Sequence, residues 1–204
     1  MNQTTIFSIG HSNHSIEKFL SLLKDSEVNM VVDVRSAPFS RMFPQFNQDA
    51  LRKSLINHGI GYLFLGDQIG GRSNDPDDYL DGQVIYKSLA SKEAFKAGIK
   101  RLREGSLKYQ IAIMCSEKEP LDCHRTLLVS EALVANGAVV SHIHADGTRE
   151  SHGEVLARLL ALHKLSSPDL FSNDADRVQE ALILQEKKIA YQMPKSGDSR
   201  EDFE

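Results

Sequence analysis

"TIFSIGHSNHSIEKFLSLLKDSEVNMVVDV", Thr5 to Val34, is the stretch on which the fold turns. It opens with TIFSI (5–9), a short β-rich run closed by Gly10, and then crosses a polar turn into HSIEKFLSLLKDS. There Ile16, Phe19, Leu20, Leu22 and Leu23 fall on one face at helical spacing, and Ser12, Asn13 or Ser15 can supply the capping oxygen that the first free N–H groups need. The stretch ends in MVVDV (30–34), too short and too β-branched to be a helix. Strand, turn, helix and strand in this order form a crossover unit.

The same alternation continues outward. YLFL (62–65), YQIAIM (109–114) and AVVSHI (138–143) read as buried strands, and helical patterns lie at about 47–58, 91–104 and 123–136, the last closed by Gly137. Right-handed crossovers between such elements predict an α/β fold, a single Rossmann-like three-layer domain with a mainly parallel sheet. A further helix around 151–163 completes this domain, taken as residues 1–164. Beyond it, turn-rich SSPDLFSNDADR, an amphipathic 174–191 and charged MPKSGDSREDFE predict a helical appendage with a frayed terminus over 165–204.

Composition sets the outer bounds. The 204 residues are 41% hydrophobic and 25% charged, ordinary for a chain with a real core. A net charge of −4 provides no global basic field for nucleic acid or anionic membrane. No charged leader precedes an apolar run and no apolar stretch is long enough to span a bilayer, so the expected location is cytoplasmic, with no membrane partner. Two cysteines are too few for a disulfide framework and are expected as thiols.

Ligands of parallel sheets bind beyond the carboxyl ends of the strands, so the loops to search are 10–13, 35–41, 66–72, 115–125 and 144–152. They carry His11, Asn13, His14, Asp33, Arg35, Ser36, Arg41, Arg72, Cys115, Glu117, Cys123, His124, Arg125, Asp146 and His152 at or beside one sheet edge. Cys115 ends a strand, while Cys123, His124 and Arg125 stand where a helix starts; a helix N-terminus and an arginine both lower a thiol pKa. A thiolate at Cys115 or Cys123 is therefore the leading chemistry, with His11 or His124 as acid/base and Glu117 as its orienter. Asn13, Arg35, Ser36, Arg72 and Arg125 are the candidate substrate-binding residues, the arginines suiting phosphate or carboxylate. Arginines paired with Asp33 or Glu117 would instead fix loop geometry. In GDQIGGR, which is no phosphate-cradle motif, Gly70 and Gly71 are expected to mark turns of positive φ.

The expected function is thus an enzyme acting on a small anionic substrate, phosphate- or carboxylate-bearing and including nucleotides. One alternative is a nucleic-acid binding or repair module in which Phe39, Phe43 and Phe46 stack on bases. Another is a metal-dependent hydrolase or lyase using Cys115, Cys123 and a histidine; no cofactor motif is present, and zinc or iron are the ions such ligands suit. The oligomeric state is left open.

SIGHSN, VVDVRSAPFSR, GIGYLFLGDQIGGR, MCSEKEPLDCHR and HIHADGTRESH, in this order over residues 5–152, resemble the bacterial and archaeal domain-of-unknown-function family four-eight-eight. The resemblance implies a Rossmann-like domain and no established reaction. It marks Gly10, His11, Ser12, Asn13, Asp33, Arg35, Ser36, Pro38, Gly70, Gly71, Arg72, Cys115, Glu117, Pro120, Cys123, His124 and Arg125. DVRS and the order strand, Cys loop, Arg-Thr, helix are also similar to rhodanese-like domains, although the loop from Cys115 to Arg125 is longer than a rhodanese cradle.

Overall fold

A computed structural model of the chain describes residues 5–167 and 173–194. The opening stretch forms β1 (Thr5–Gly10), α1 (Ile16–Asp25) and β2 (Met30–Asp33). Then come α2 (Gln48–Asn57), β3 (Gly61–Phe64), the short α3 (Gly66–Ile69), a hairpin of β4 (Tyr79–Leu80) and β5 (Gln83–Val84), α4 (Tyr86–Ser91) and α5 (Glu93–Ser106). β6 (Ile111–Cys115) leads into a π-helical segment, Arg125–Ser130, that continues as α6 (Glu131–Ala135). β7 (Val139–Ile143), β8 (Arg149–Ser151), α7 (His152–Leu162) and α8 (Asp174–Ile189) complete the order.

The sheet runs β3-β2-β6-β1-β7-β8, parallel throughout except for β8 against β7, and helices cover both faces. This is the expected three-layer α/β architecture. The strands alternate their side chains between two cores. Ile6, Val32, Ile111 and Ile113 pack with Phe95, Ile99 and Leu102 of α5 and Val155 and Leu159 of α7. Phe7, Ile9, Val31, Ala112 and Met114 pack under α1 and α2. α1 buries Phe19, Leu20, Leu22 and Leu23, each side chain stabilising by about 1.5–3 kcal/mol. Its cap is Ser15, whose oxygen accepts the Lys18 N–H.

Three segments differ from the sequence expectation. The 144–152 loop contains β8, which pairs with β7 through a tight turn that the short polar run did not announce. Within 66–72, Gly66–Ile69 is one helical turn. The helix expected over 123–136 starts wide, as a π-helix. Ser130 Oγ donates to the Arg125 carbonyl at 2.7 Å, and the Arg125 side chain is drawn into the sheet to reach Ser8. Local periodicity carries neither constraint.

α8 lies against α7 and adds Ala181 and Leu182 to the core; Gln185 Nε2 donates to the Leu121 carbonyl at 3.1 Å. Past its end, Val84 N–H donates to Tyr191 O and Met193 N–H to Gly82 O, tying the last described residues to the hairpin. The expected frayed terminus falls on 195–204, outside the described residues.

This topology decides where the site lies. α1 and α2 carry the chain from β1 to β2 to β3 over one face, toward one edge. α5 and the Arg125–Ala135 helix carry it from β3 to β6 to β7 over the other face, toward the opposite edge. β6 therefore has, on each side, a neighbour whose outgoing chain departs the other way, and the loops part above its carboxyl end. Cys115 is the last residue of β6.

Candidate functional site

From Cys115 the chain turns through a 3₁₀ turn at Pro120–Asp122 and returns with Cys123 and His124. Both thiols are buried, Cys115 4% and Cys123 1% exposed, and each sulfur lies 3.0 Å from Glu117 Oε2. His124 Nδ1 is 3.7 Å from Cys115 Sγ and 3.9 Å from Cys123 Sγ. The other ring nitrogen, Nε2, is 2.9 Å from the carbonyl of Val34 at the end of β2. A carbonyl only accepts, so Nε2 carries a proton, and in the neutral ring the Nδ1 lone pair faces the sulfurs.

Close approach of backbone holds this arrangement. A Cβ on Gly10 would lie 1.8 Å from the Glu117 carbonyl oxygen, and one on Gly71 would lie 2.7 Å from His124 Cγ. Gly70 and Gly71 are not among the positive-φ glycines, contrary to expectation. They are small because Ser36 and the His124 ring press on them.

The charges in the loop are interdependent. Burial pushes the Cys115 thiol well up, reinforced by its hydrogen bond to Cys123 and by the charge there. Burial opposes ionisation of Cys123 too, but the Cys115 hydrogen bond, the Arg125 guanidinium and His124 outweigh it and hold Cys123 well below the usual thiol range. Burial and the Cys123 charge raise Glu117. His124 is lifted in spite of its burial by the hydrogen bond and charge of Cys123.

Cys115 Sγ, Cys123 Sγ and His124 Nδ1 all lie within 4.8 Å of one another. In a tetrahedral zinc site with Zn–S of about 2.3 Å and Zn–N of about 2.05 Å, sulfur and nitrogen ligands stand roughly 3.6 Å apart. The 3.7 and 3.9 Å separations here are close to that figure. The Nε2–H bond to Val34 is the second contact that metal-binding histidines ordinarily make.

The remaining candidates divide. Arg125 is wholly buried and donates to Ser8 Oγ (3.1 Å), Glu117 O (2.7 Å) and Lys118 O (3.3 Å), so it pins the cysteine loop to β1. Arg35 forks onto Asp33, Nε to Oδ1 at 2.9 Å and Nη2 to Oδ2 at 2.6 Å, and also donates to Phe46 O. His11 is stacked on Phe46, its Nδ1–H donates to Ser12 O, and Nε2 accepts from Arg35; burial, with Arg35 assisting, lowers it to about 4. Its side chain thus belongs to the Asp33–Arg35 cluster and not to the thiols. Asn13 is exposed and accepts from the Ser12 hydroxyl. Ser36 accepts the Arg72 N–H, and the exposed Arg72 guanidinium lies 4.3 Å over the Tyr191 ring. His152 is bonded to His142 and Glu131, in a separate buried group. Of the loop aromatics, Phe46 is buried, Phe43 is half-buried and Phe39 is exposed.

The thiols, His124, Arg72, Tyr86 and Tyr191 line one cleft of about 180 Å³. Sequence reading missed both tyrosines: Tyr86 follows the hairpin and Tyr191 follows α8, and neither lies in a loop after a sheet strand. It also missed Tyr62, whose hydroxyl donates to Asp33 Oδ2 at 2.9 Å.

Fold and site together define an α/β domain with a buried two-cysteine, one-histidine cluster at the switch point of its sheet. The family model described as Domain of unknown function DUF488 matches residues 15–132, more than half of the chain, and the chain belongs to that family. No curated protein and no solved structure matches it. Among the described residues no helix is long and apolar enough to cross a membrane.

Proposed function

We propose that Cys115, Cys123 and His124 hold a zinc-class metal ion and that the protein is a metal-dependent hydrolase. The observation that carries this reading is the convergence of two sulfurs and an imidazole lone pair within 4.8 Å at the mouth of a cleft. Three protein ligands leave a fourth tetrahedral position, the arrangement by which zinc activates water. Glu117, 3.0 Å from both sulfurs, stands where a carboxylate can take the proton of that water. Such an ion, when bound, would supply an activated water for attack on an electrophilic carbon or phosphorus, and Glu117 would hold the proton of that water and return it to the leaving group as its bond breaks.

A plain thiolate enzyme is the second reading, favoured by the position of Cys123 beside Arg125 at a helix start. Elemental analysis of protein purified without added metal separates the two. About one equivalent of zinc or iron per chain is expected, and in the Cys123→Ser variant, which lacks one of the three ligands, zinc affinity is expected to fall by more than the roughly 10- to 100-fold that loss of a ligand's supporting contact costs. Metal-free protein that takes up no zinc, yet whose thiol reacts rapidly with iodoacetamide, would overturn the metal reading in favour of the thiolate.

A further inference from the structure

The 180 Å³ cleft is smaller than the roughly 300–1,000 Å³ of small-molecule sites, so it accommodates a reacting group and not a whole substrate. A second cavity of about 750 Å³ adjoins it, and the two share Ser36, Ala37, Arg72 and Tyr191 as walls. Phe64, Tyr79, Leu89 and Met193 give this larger groove an apolar lining. Its charged groups are Arg72, Lys92 and the exposed Asp67. Lys92 is held by Asp75 at 2.6 Å and Asp78 at 2.8 Å.

Arg72 differs from Arg35 and Arg125. Their guanidiniums are consumed by internal hydrogen bonds, whereas that of Arg72 is exposed, makes no ion pair among the described residues and lies flat on Tyr191. An arginine stacked in this way keeps its N–H edge free for two parallel bonds to a carboxylate or phosphate. Its position on the wall between the cavities puts such an anion one step from the metal-ligating cluster.

We infer that the groove is the substrate-body subsite and that Arg72, stacked on Tyr191, selects a small substrate with a single anionic group, a carboxylate or phosphate that sits at the junction while an aromatic or apolar body occupies the groove. This rests on the metal-centre reading for what happens to the substrate, but not for its binding. It also assigns a task to the C-terminal segment. Tyr191 lies beyond the residues matched by the family model and is tied to the β4–β5 hairpin through Val84. α8 thus carries a specificity wall to a site built otherwise by the sheet loops.

The test is calorimetric titration of the full chain with benzoate and with phenyl phosphate, using benzamide as the uncharged control, and with metal content measured on every sample. One or both anions are expected to bind, the tighter one identifying the anion class, with benzamide at least tenfold weaker. Arg72→Gln is expected to weaken the anion about tenfold or more, the loss typical of a charge-assisted bond, and Tyr191→Leu several-fold. Absence of binding up to about 10 mM, equal binding of benzamide, or anion affinity unchanged in either variant overturns the inference. Anion binding by metal-free protein that takes up no zinc leaves the subsite standing and removes the metal centre, whereas a metal-loaded chain without anion binding does the reverse.

Discussion

Replacing Asp33 by Ala is the perturbation with the clearest expected size. The Asp33 carboxylate accepts four hydrogen bonds: from Arg35 N–H (3.1 Å), Nε (2.9 Å) and Nη2 (2.6 Å), and from the Tyr62 hydroxyl (2.9 Å). Asp33 is 0% and Arg35 3% exposed, so solvent does not replace what is removed. In the variant a buried guanidinium keeps the Phe46 carbonyl, the His11 nitrogen and the Tyr62 hydroxyl beside it, but no carboxylate among the described residues. Removing one member of a buried pair costs about 3–5 kcal/mol, against about 1.5–3 kcal/mol for the single hydroxyl–carboxylate bond lost in Tyr62→Phe. At roughly 2–4 °C per kcal/mol for a chain of this size, Asp33→Ala should lower Tm by about 6–20 °C. Urea unfolding of the wild type and both variants measures the difference directly. A loss below about 1 kcal/mol in Asp33→Ala, with an unchanged denaturant slope, would refute the claim that this pair secures the β2 loop.

Two further outcomes are expected. Gly71→Ala places a methyl 2.7–3.0 Å from three atoms of His124 and should displace the ring, lowering zinc affinity about 10- to 100-fold while secondary structure persists; competition with a chromophoric chelator reads this. His142 is lowered to about 2 by burial, with the charges of His152, Arg125 and His144 adding to it and Cys123 opposing. The unfolded chain therefore binds one more proton than the folded chain between about pH 6.5 and 2, and the stability present above pH 6.5 is lost as pH falls below it, at up to about 1.4 kcal/mol per unit. Urea unfolding between pH 7.5 and about 5 should show that slope reduced by about one proton in His142→Gln; equal slopes would remove His142 as its source.

Much of the fold follows from local pattern. β1, α1 and β2 fall where apolar runs and helical spacing put them, because a strand buried on both faces must be continuously apolar and a surface helix must keep one apolar stripe. Cys115 at a strand end and Cys123 to Arg125 at a helix start were legible for the same reason. What local pattern could not reveal was the use of each charge. Arg35, Arg72 and Arg125 are equivalent as letters, yet two are spent inside the protein and one is exposed at the cleft. The difference depends on Asp33, Ser8 and the Glu117 carbonyl, partners supplied by packing.

The sequence by itself determined the order of β1, α1, β2, α2, β3, α5, β6, the helix after it, β7 and α7, the loops that follow the strands, and the family, since periodicity, β-branching and turn residues act over a few neighbouring positions. The tertiary structure alone decided that β6 enters between β2 and β1, so that the loops part above Cys115. It alone turned His124 so that Val34 holds one nitrogen while the other faces two sulfurs, and brought Tyr191 from the far end of the chain to Arg72. These relations join residues remote in sequence, and only the burial of both sheet faces, with every enclosed polar group finding a partner, selects them.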